Sequence, residues 1–191
     1  MGKFTFIVPT IGRNTLPYAI QSVKSQTIQD WKAIICGDGI EPYGTYPDDR
    51  ITVMTAPGRG SASLTRNYAA QFIDTEWAVL LDDDDWVYPD YLEKFDELSK
   101  LDDYDIMVSQ MNNYGDILPV GEEIILSRIG ISFAVTTKCL VENPMPSVGC
   151  EDFYYLDAMN KQGKKIGFTH YCGYYVRKYL NDENWQQTLQ H

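Results

Sequence analysis

The chain has 191 residues, 44% of them hydrophobic and 23% charged, with a formal net charge of -11 at pH 7. This length and composition predict one globular domain over residues 1–191 and exclude a disordered chain. The acidic balance argues against a nucleic-acid partner, which requires a basic face. No apolar run suits a membrane span or a signal sequence, so we expect a soluble, cytoplasmic protein without a transmembrane segment.

The first half of the chain alternates short apolar runs with segments of helical periodicity. Pro9 ends the first run and a Gly-Asp-Gly turn follows the second, as expected where buried strands end. We predict strands at KFTFIVP, WKAIICGDG, RITVMTAPG and EWAVLL, and helices at TLPYAIQSVKSQT and SASLTRNYAAQFIDT. This alternation favours an α/β fold with a mostly parallel sheet flanked by helices.

The second half carries similar signals in a less regular order. Pro89 suits the first turn of a helix, and Gly163 suits the end of another. We predict helices at PDYLEKFDELSKL and CEDFYYLDAMNKQG, strands at YDIMVSQM and ISFAVT with an irregular connection over 112–130 between them, two late strands at KKIGFTH and GYYVRK, and a mobile tail at NDENWQQTLQH.

The four cysteines have no spacing typical of a metal site, since the chain contains neither a CxxC pair nor a Cys/His cluster. Unpaired cysteines are among the most buried residues of folded proteins. We therefore expect buried free thiols in a reducing compartment rather than a disulfide framework. The four residues are Cys36, Cys139, Cys150 and Cys172.

Polar residues follow three of the predicted strands. They are Pro9-Thr10, Gly37-Asp38 and the run Asp82 to Asp85. Open sheets of this kind bind ligands at the carboxyl ends of their strands. The sequence therefore predicts that these three groups meet at one edge of the sheet and form a site.

The acidic run LLDDDDW predicts a divalent-cation site at that edge. Four adjacent carboxylates repel one another, and a hard cation such as Mn²⁺ or Mg²⁺ would relieve the repulsion. In an extended stretch Asp82 and Asp84 point one way while Asp83 and Asp85 point the other, so not all four need be ligands. The alternative is a solvated acidic turn, with one aspartate capping the next helix.

The resemblance to a known family rests on several motifs in order. FTFIVPTIGR, WKAIICGDG, LTRNYAA and WAVLLDDDDW with PDYLEKF resemble a family 2-type, nucleotide-sugar-dependent glycosyltransferase of the GT-A fold, and GCEDFYYLDAM matches more weakly. The resemblance implies sugar transfer from a nucleotide-diphosphate sugar, commonly a UDP-sugar, to a hydroxyl acceptor such as a glycan. It also implies a divalent Mn²⁺ or Mg²⁺ and usually inversion at the anomeric carbon.

By this resemblance residues 1–85 would form the nucleotide-sugar-binding half and residues 86–191 the acceptor-binding half. The second half is short for that role. Such a chain could work as one module with other domains or subunits of a glycan-assembly system.

The resemblance assigns donor contacts to residues of the first half. Pro9 and Thr10 would lie beside the base and ribose, and Asp38 would hydrogen-bond the base. The family pattern is Asp-Asp where this chain has Gly37-Asp38, so one acidic neighbour is missing. Arg66 would reach the base or the diphosphate. Taken singly, Asp38 reads better as an ordinary turn residue and Arg66 as a surface helix residue, whereas together they favour a site.

The string LDDDDW resembles the family's LDxDD metal signature. In that register Asp84 is the principal metal ligand, and Asp82 lies near both the ribose and the ion. Asp83 falls at the variable position and is expected on the nucleotide-sugar side. Asp85 is expected to cap or orient the following turn.

The string GCEDFYYLDAM resembles the helix start that carries the family's catalytic base. By this match Asp152 would accept the proton of the attacking hydroxyl, and Glu151 is the neighbour most easily confused with it. The alternative is that both are first-turn acids favoured by the helix dipole.

Late residues are candidates for diphosphate or acceptor contacts. Arg177 and Lys178 could meet the diphosphate, and Trp86 could stack on a sugar or simply pack in the core. A lone strand histidine such as His170 is more often a packed residue than a metal ligand.

Two other functions remain to be weighed. A haloacid dehalogenase-type phosphatase also places Asp-x-Asp after an apolar strand, but its signature opens the chain and continues with Thr or Val, where this chain has Asp85 in mid-sequence. A non-catalytic sugar- or nucleotide-binding module would keep Asp38 without needing Asp152.

Overall fold

Apolar strands with helices packed on them form the fold in the computed structural model, which describes residues 2–58 and 60–177. Helix α2 begins after Ser61, whose side chain accepts a hydrogen bond from the backbone of Leu64, a standard helix cap. In chain order the elements are β1 (Phe4–Thr10), α1 (Leu16–Lys24), β2 (Trp31–Asp38), β3 (Ile51–Ala56), α2 (Ala62–Ala70), β4 (Trp77–Leu80), β5 (Trp86–Val87), α3 (Tyr91–Leu98), β6 (Ile106–Asn113), β7 (Asp116–Leu118), β8 (Phe133–Thr136), α4 (Thr137–Glu142), α5 (Glu151–Lys161) and β9 (Ile166–Val176).

One mixed sheet contains all the strands in the described part of the chain. Its order is β3-β2-β1-β4-β8-β6-β9-β5, and β7 pairs with β6. The first four strands in this order are parallel. Strand β8 is antiparallel to both β4 and β6, whereas β9 is parallel to β6. The predicted α/β class is confirmed, and the parallel arrangement belongs to the first half of the chain.

Strand β1 sets the edge at which the predicted polar groups meet. It lies between β2 and β4 in the parallel part, and all seven of its residues are buried. Its register pairs Thr10 with Gly37 of β2 and Ile7 with Leu80 of β4. The backbone of Leu81 still donates to the carbonyl of Ile7, at 3.2 Å. The acidic run therefore starts beside the last residues of β1.

The apolar core lies between this sheet and the helices. Phe4, Phe6 and Ile7 of β1 are fully buried, as are Leu92 and Phe95 of α3. Burying a side chain of this size contributes about 1.5–3 kcal/mol, so burial on both faces holds the strand ends rigidly in place.

The two late strands are a single strand, so this prediction is wrong in detail. Residues 166–170 of the first run and 173–176 of the second both belong to β9, which runs beside β6 with register shifts between Val108 and Met111. His170 has a φ of 53°, in the left-handed region. A local irregularity in a continuous strand, rather than a turn, breaks the apolar pattern there.

Three short elements have no counterpart in the sequence prediction. Strand β5 has two residues and pairs with β9, and β7 lies inside the connection expected to be irregular. Helix α4 follows β8 directly, with Thr136 as its cap. Elements of this length carry too few residues to show a period. The tail expected to be mobile, residues 181–191, lies outside the described residues.

The cysteines are free, as predicted, but they are not all buried. Cys36 and Cys139 are buried, Cys172 is half-buried and Cys150 is exposed. Burial raises the pKa of the Cys36 thiol to about 11, which makes it a poor nucleophile.

Within residues 2–58 and 60–177, no helix combines the length and the apolar character that crossing a membrane requires.

Candidate active site

A cleft of about 530 Å³ opens at the carboxyl edge of the parallel strands. The ends of β1, β2 and β4 supply three of its walls, and the start of α2 supplies another. It therefore brings together the three polar groups that the sequence placed at strand ends. Its lining comprises Pro9, Thr10, Ile11, Arg13, Asp38, Gly60, Ser61, Ala62, Thr65, Arg66, Asp82, Asp83, Asp84 and Glu151.

Asp83 is fixed by partners from β1 and the turn after it. The Thr10 hydroxyl donates to Asp83 Oδ2 at 2.5 Å, and Arg13 Nη1 donates to Asp83 Oδ1 at 2.7 Å. The side chain of Asp83 is only 2% exposed. Arg13 Nη1 also lies 3.1 Å from Asp84 Oδ2, so one guanidinium serves two neighbouring carboxylates.

The carboxylates around Arg13 keep its guanidinium charged. Burial acts to lower its pKa, but the hydrogen bond to Asp83 and the charges of Asp84, Asp83 and Asp82 outweigh burial and raise the pKa. The guanidinium therefore stays protonated at any ordinary pH.

Asp82 is paired with Arg66 of α2. Arg66 Nη2 donates to Asp82 Oδ1, and Nη1 donates to Glu151 Oε1 at 3.3 Å. The Arg66 side chain is 1% exposed, so the helix buries a cation between two acidic groups of the cleft. Its Nε has no hydrogen-bond partner in the described part of the chain.

Asp85 turns away from the cleft, into the contact with β9. Its carboxylate accepts from the Tyr174 hydroxyl at 2.8 Å and from the backbone amide of Arg177 at 2.9 Å. Burial raises the pKa of Asp85 well above its ordinary value, with a further contribution from Asp82. Burial also raises the pKa of Asp84, against the lowering effect of Arg13.

Carboxylate oxygens of three of these residues could hold a divalent cation. One oxygen each from Asp82, Asp84 and Asp85 lies within 4.8 Å of the other two. Oxygen ligands from carboxylates are those that Mg²⁺ and Mn²⁺ prefer. The donor set therefore fits such an ion, and it includes Asp85, which the sequence assigned to capping or orienting the following turn.

Asp38 lies at the end of β2 and faces the start of α2. The backbone amide of Ser61 donates to Asp38 Oδ2 at 3.1 Å. The Ser61 hydroxyl in turn lies 2.9 Å from the hydroxyl of Ser147. This contact links the Asp38 edge of the cleft to the segment before α5.

Asp152 lies in the first turn of α5, next to a second cavity of about 280 Å³. Cys150, with a φ of 59°, turns the chain sharply into the helix. Burial raises the pKa of Asp152, and the charge of Glu151 adds to this effect. Glu151 lines both this cavity and the larger cleft, so the two spaces meet at the start of α5.

Comparison with known proteins identifies the family. The model of the family described as Glycosyl transferase family 2 matches residues 5–183, nearly the whole chain. The chain belongs to glycosyl transferase family 2.

Solved structures of the same fold include nucleotide-sugar complexes. The mannosyltransferase PcManGT from Pyrobaculum calidifontis, in complex with GDP-Man and Mn²⁺, matches with a TM-score of 0.75 and 15% identity over 99% of this chain and 61% of that chain. S. aureus TarS 1-349 matches with a TM-score of 0.71 and 17% identity over 91% of this chain and 60% of that one. TarS 1-349 in complex with UDP-GlcNAc gives 0.69 and 16% over 97% and 64%. At these identities the similarity shows the fold, and this family 2 chain spans about three fifths of their length.

Not all residues of the second half that were predicted to contact the diphosphate or the acceptor lie at the cleft of this family 2 chain. Trp86 is 4% exposed and its ring stacks on Tyr175, with ring centroids 4.1 Å apart, so its position is that of a packing residue. The Arg177 guanidinium lies over the ring of Tyr18. Lys178 lies outside the described residues. His170 is exposed and pairs with Glu122 at 3.0 Å, and it does not line the cleft.

Sequence reasoning missed two residues that shape the family 2 cleft. Arg13 is part of the first motif, three residues after Thr10, yet a lone arginine in a turn carries no signal of its own. Tyr174 is distant in sequence from Asp85 and became its partner only through the pairing of β5 with β9.

A larger groove, of about 750 Å³, lies between α4 and α5. It contains none of the acidic run, so its volume alone does not make it the catalytic site of this family 2 chain. Its lining comprises Glu142, Asn143, Pro144, Pro146, Val148, Gly149, Tyr154, Tyr155, Ala158, Met159 and Gln162.

Proposed function

We propose that this chain transfers a sugar from a nucleotide-diphosphate sugar, with UDP-sugars favoured, to a hydroxyl acceptor such as a glycan. The reaction depends on Mn²⁺ or Mg²⁺ and inverts the anomeric carbon, with Asp152 as the general base. The observation that carries the proposal is the convergence of Asp38, Arg66 and Asp82–Asp84 on one cleft in a chain of glycosyl transferase family 2.

The donor occupies the larger cleft in this proposal. Pro9 and Thr10 face the base and ribose, and Asp38 accepts a hydrogen bond from an N–H of the base. Arg66 holds Asp82 and Glu151 in position. Its buried Nε–H lacks a partner among the described residues, and a phosphate oxygen or a water would satisfy it.

Asp84 and Asp82 would hold the divalent ion, with Asp85 as the third oxygen donor within reach. The ion would supply charge neutralisation for the diphosphate as it leaves. Asp83 serves as an anchor instead, because it bonds to Thr10 and Arg13 and lies outside this group of three carboxylates.

The acceptor hydroxyl lies toward the smaller cavity, beside Asp152. Its oxygen forms a bond to the anomeric carbon, the bond from that carbon to the diphosphate oxygen breaks, and the Asp152 carboxylate accepts the hydroxyl proton. Burial suits this role, since a raised pKa makes the carboxylate a stronger base. A Cβ at position 130 would overlap the end of the Met111 side chain and lie 3.6 Å from Asp152 Oδ2, so glycine makes room here for Met111 beside the carboxylate.

A thermal-shift series of nucleotide sugars tests the donor site. UDP-sugars and GDP-mannose are each compared with and without Mn²⁺, since a ligand at 100 times its Kd adds about 2.7 kcal/mol of stability. We expect a metal-dependent shift that Asp84→Ala abolishes. Asp103→Asn, which removes an exposed charge elsewhere, should keep the shift. A chain that no nucleotide stabilises would contradict the proposal.

A turnover assay distinguishes an enzyme from a non-catalytic binding module. Both functions predict that Asp38→Ala weakens donor binding. Only the enzyme releases free nucleotide from a bound donor, and only then does Asp152→Asn abolish a measurable rate while leaving donor affinity intact. The family match gives no support to a haloacid dehalogenase-type phosphatase.

A further inference from the structure

Arg13 reaches the acidic run because the chain turns sharply after β1. The backbone amide of Gly12 donates to the Thr10 hydroxyl at 3.0 Å, and Gly12 has a φ of 87°. A side chain at that position would be strained in this left-handed conformation. The turn brings Arg13 back across the cleft to Asp83 and Asp84.

The two ion pairs of Arg13 differ in strength. Asp83 is 2% exposed and holds the guanidinium at 2.7 Å, whereas Asp84 is 39% exposed and lies at 3.1 Å. Exposed ion pairs contribute little, since water screens them, while breaking a buried pair is costly. Arg13 is thus anchored at Asp83, and its ion pair with Asp84 can break at a small cost in free energy.

Asp84 is also the residue proposed as the principal metal ligand. A guanidinium and a divalent cation at the same carboxylate repel each other, so they compete for it. The Arg13 side chain is 44% exposed and lines the donor cleft. Its planar group, once released from Asp84, matches the geometry of phosphate oxygens.

We propose that Arg13 is the resident counter-ion of the acidic run and exchanges Asp84 for the donor diphosphate when metal and nucleotide bind. The inference rests on the proposed function and adds a diphosphate ligand to it. Under this inference Arg13 weakens binding of the metal alone. It strengthens binding of the nucleotide diphosphate once the metal is present. Metal and nucleotide therefore bind cooperatively through this side chain.

The test compares Arg13→Gln and Arg13→Lys with Arg50→Gln. Arg50 is a matched control, because it is also paired with an aspartate, Asp48, but lies at the start of β3, the opposite end of the sheet. Mn²⁺ affinity is measured without nucleotide from the electron paramagnetic resonance signal of the free ion. Titration calorimetry in saturating Mn²⁺ then measures UDP against uridine and GDP against guanosine.

For Arg13→Gln we expect Mn²⁺ alone to bind about threefold more tightly, as loss of an exposed competing charge predicts. The nucleotide diphosphate that binds the wild type should bind about tenfold or more weakly, as loss of a charge-assisted hydrogen bond predicts. Its nucleoside should be unaffected. Arg13→Lys should fall between wild type and Arg13→Gln, and Arg50→Gln should match wild type.

Weaker Mn²⁺ binding by Arg13→Gln would overturn the inference, because Arg13 would then organise the carboxylates for the metal. Equal losses for nucleoside and diphosphate would also overturn it, since Arg13 would then shape the whole cleft. Affinities that match those of Arg50→Gln would do the same. A wild type that binds neither Mn²⁺ nor any nucleotide would refute the proposed function itself, a result distinct from these.

Discussion

Every aspartate of the acidic run has a partner, and this explains how the fold accommodates four adjacent carboxylates. Asp82 pairs with Arg66, Asp83 and Asp84 with Arg13, and Asp85 with Tyr174. Repulsion and desolvation are thereby offset by two cations and by hydrogen bonds to the buried members.

Tyr174→Phe tests the buried member of this set. The Tyr174 hydroxyl donates to Asp85 and accepts from the backbone amide of Asp82 at 3.2 Å. Its loss leaves a buried carboxylate short of a donor, so the free energy of unfolding should fall by about 1–3 kcal/mol. Urea denaturation measures this. Tyr43→Phe, at a residue 70% exposed, should change stability by about 0.5 kcal/mol or less. Equal effects of the two substitutions would contradict the prediction.

The ionisation of Asp152, the proposed general base, predicts the acid limit of catalysis. A general base must be deprotonated, and burial raises the pKa of Asp152, while Glu151 raises it further and Arg66 lowers it. The rate of nucleotide release should therefore fall as pH drops through a value above that of an ordinary carboxyl group. Asp152→Asn should lower the rate by about 100- to 10,000-fold.

Glu151→Gln distinguishes the two neighbouring acids. It removes one partner of Arg66 and should lower activity. Because the charge of Glu151 raises the pKa of Asp152, the acid limb of the profile should move to lower pH but persist. An acid limb that disappears in Glu151→Gln and persists in Asp152→Asn would assign the base to Glu151 instead.

At the scale of elements, helix α2 joins the two sides of the site. Arg66 contacts Asp82 and Glu151. The next residue, Asn67, makes two bonds to the backbone of Met145: its amide nitrogen donates to the carbonyl at 2.8 Å, and its oxygen accepts from the amide at 2.9 Å. The segment leading to Asp152 is thus tied to the helix that borders the cleft with the acidic run.

Asn67→Ala should loosen that segment. Loss of two side chain–backbone hydrogen bonds predicts a stability loss of about 1–3 kcal/mol. Hydrogen exchange measured by mass spectrometry should rise in peptides covering 143–153, by about tenfold for each 1.4 kcal/mol of lost local stability. Donor affinity should change less than turnover, because Asp152 is displaced and the donor cleft is not.

Thr137→Ala is the control for this substitution. Thr137 also bonds across the molecule, to the Thr75 carbonyl at 2.9 Å, but at the opposite end of β4 from the acidic run. It should destabilise the fold without raising exchange in 143–153. Unchanged exchange there in Asn67→Ala would show that the tie does not hold the segment.

At the scale of the whole molecule, the sequence predicted the edge that carries the site but not the contacts across it. Apolar runs and the polar residues after them are local signals, so the meeting of Thr10, Asp38 and Asp82 could be expected from strand order. The pairing of Asp85 with Tyr174, or of Asn67 with Met145, depends on tertiary packing that no local period encodes. For the same reason the sequence predicted two late strands where the structure has the single strand β9, because pairing with β6 continues past the irregular residue.

The last prediction follows from the net charge of -11 and concerns the melting temperature and the metal site. Excess negative charge destabilises a compact chain, and salt screens it, so the melting temperature should rise with KCl. MgCl₂ or MnCl₂ at matched ionic strength should raise it further, because a bound divalent ion relieves the crowding at Asp82, Asp84 and Asp85 specifically. Asp84→Asn should keep the response to KCl and lose the extra divalent response. Asp103→Asn removes the same charge from an exposed position and should keep both. A divalent response that survives in Asp84→Asn would mean that the ions act by screening alone, with no site in the acidic run.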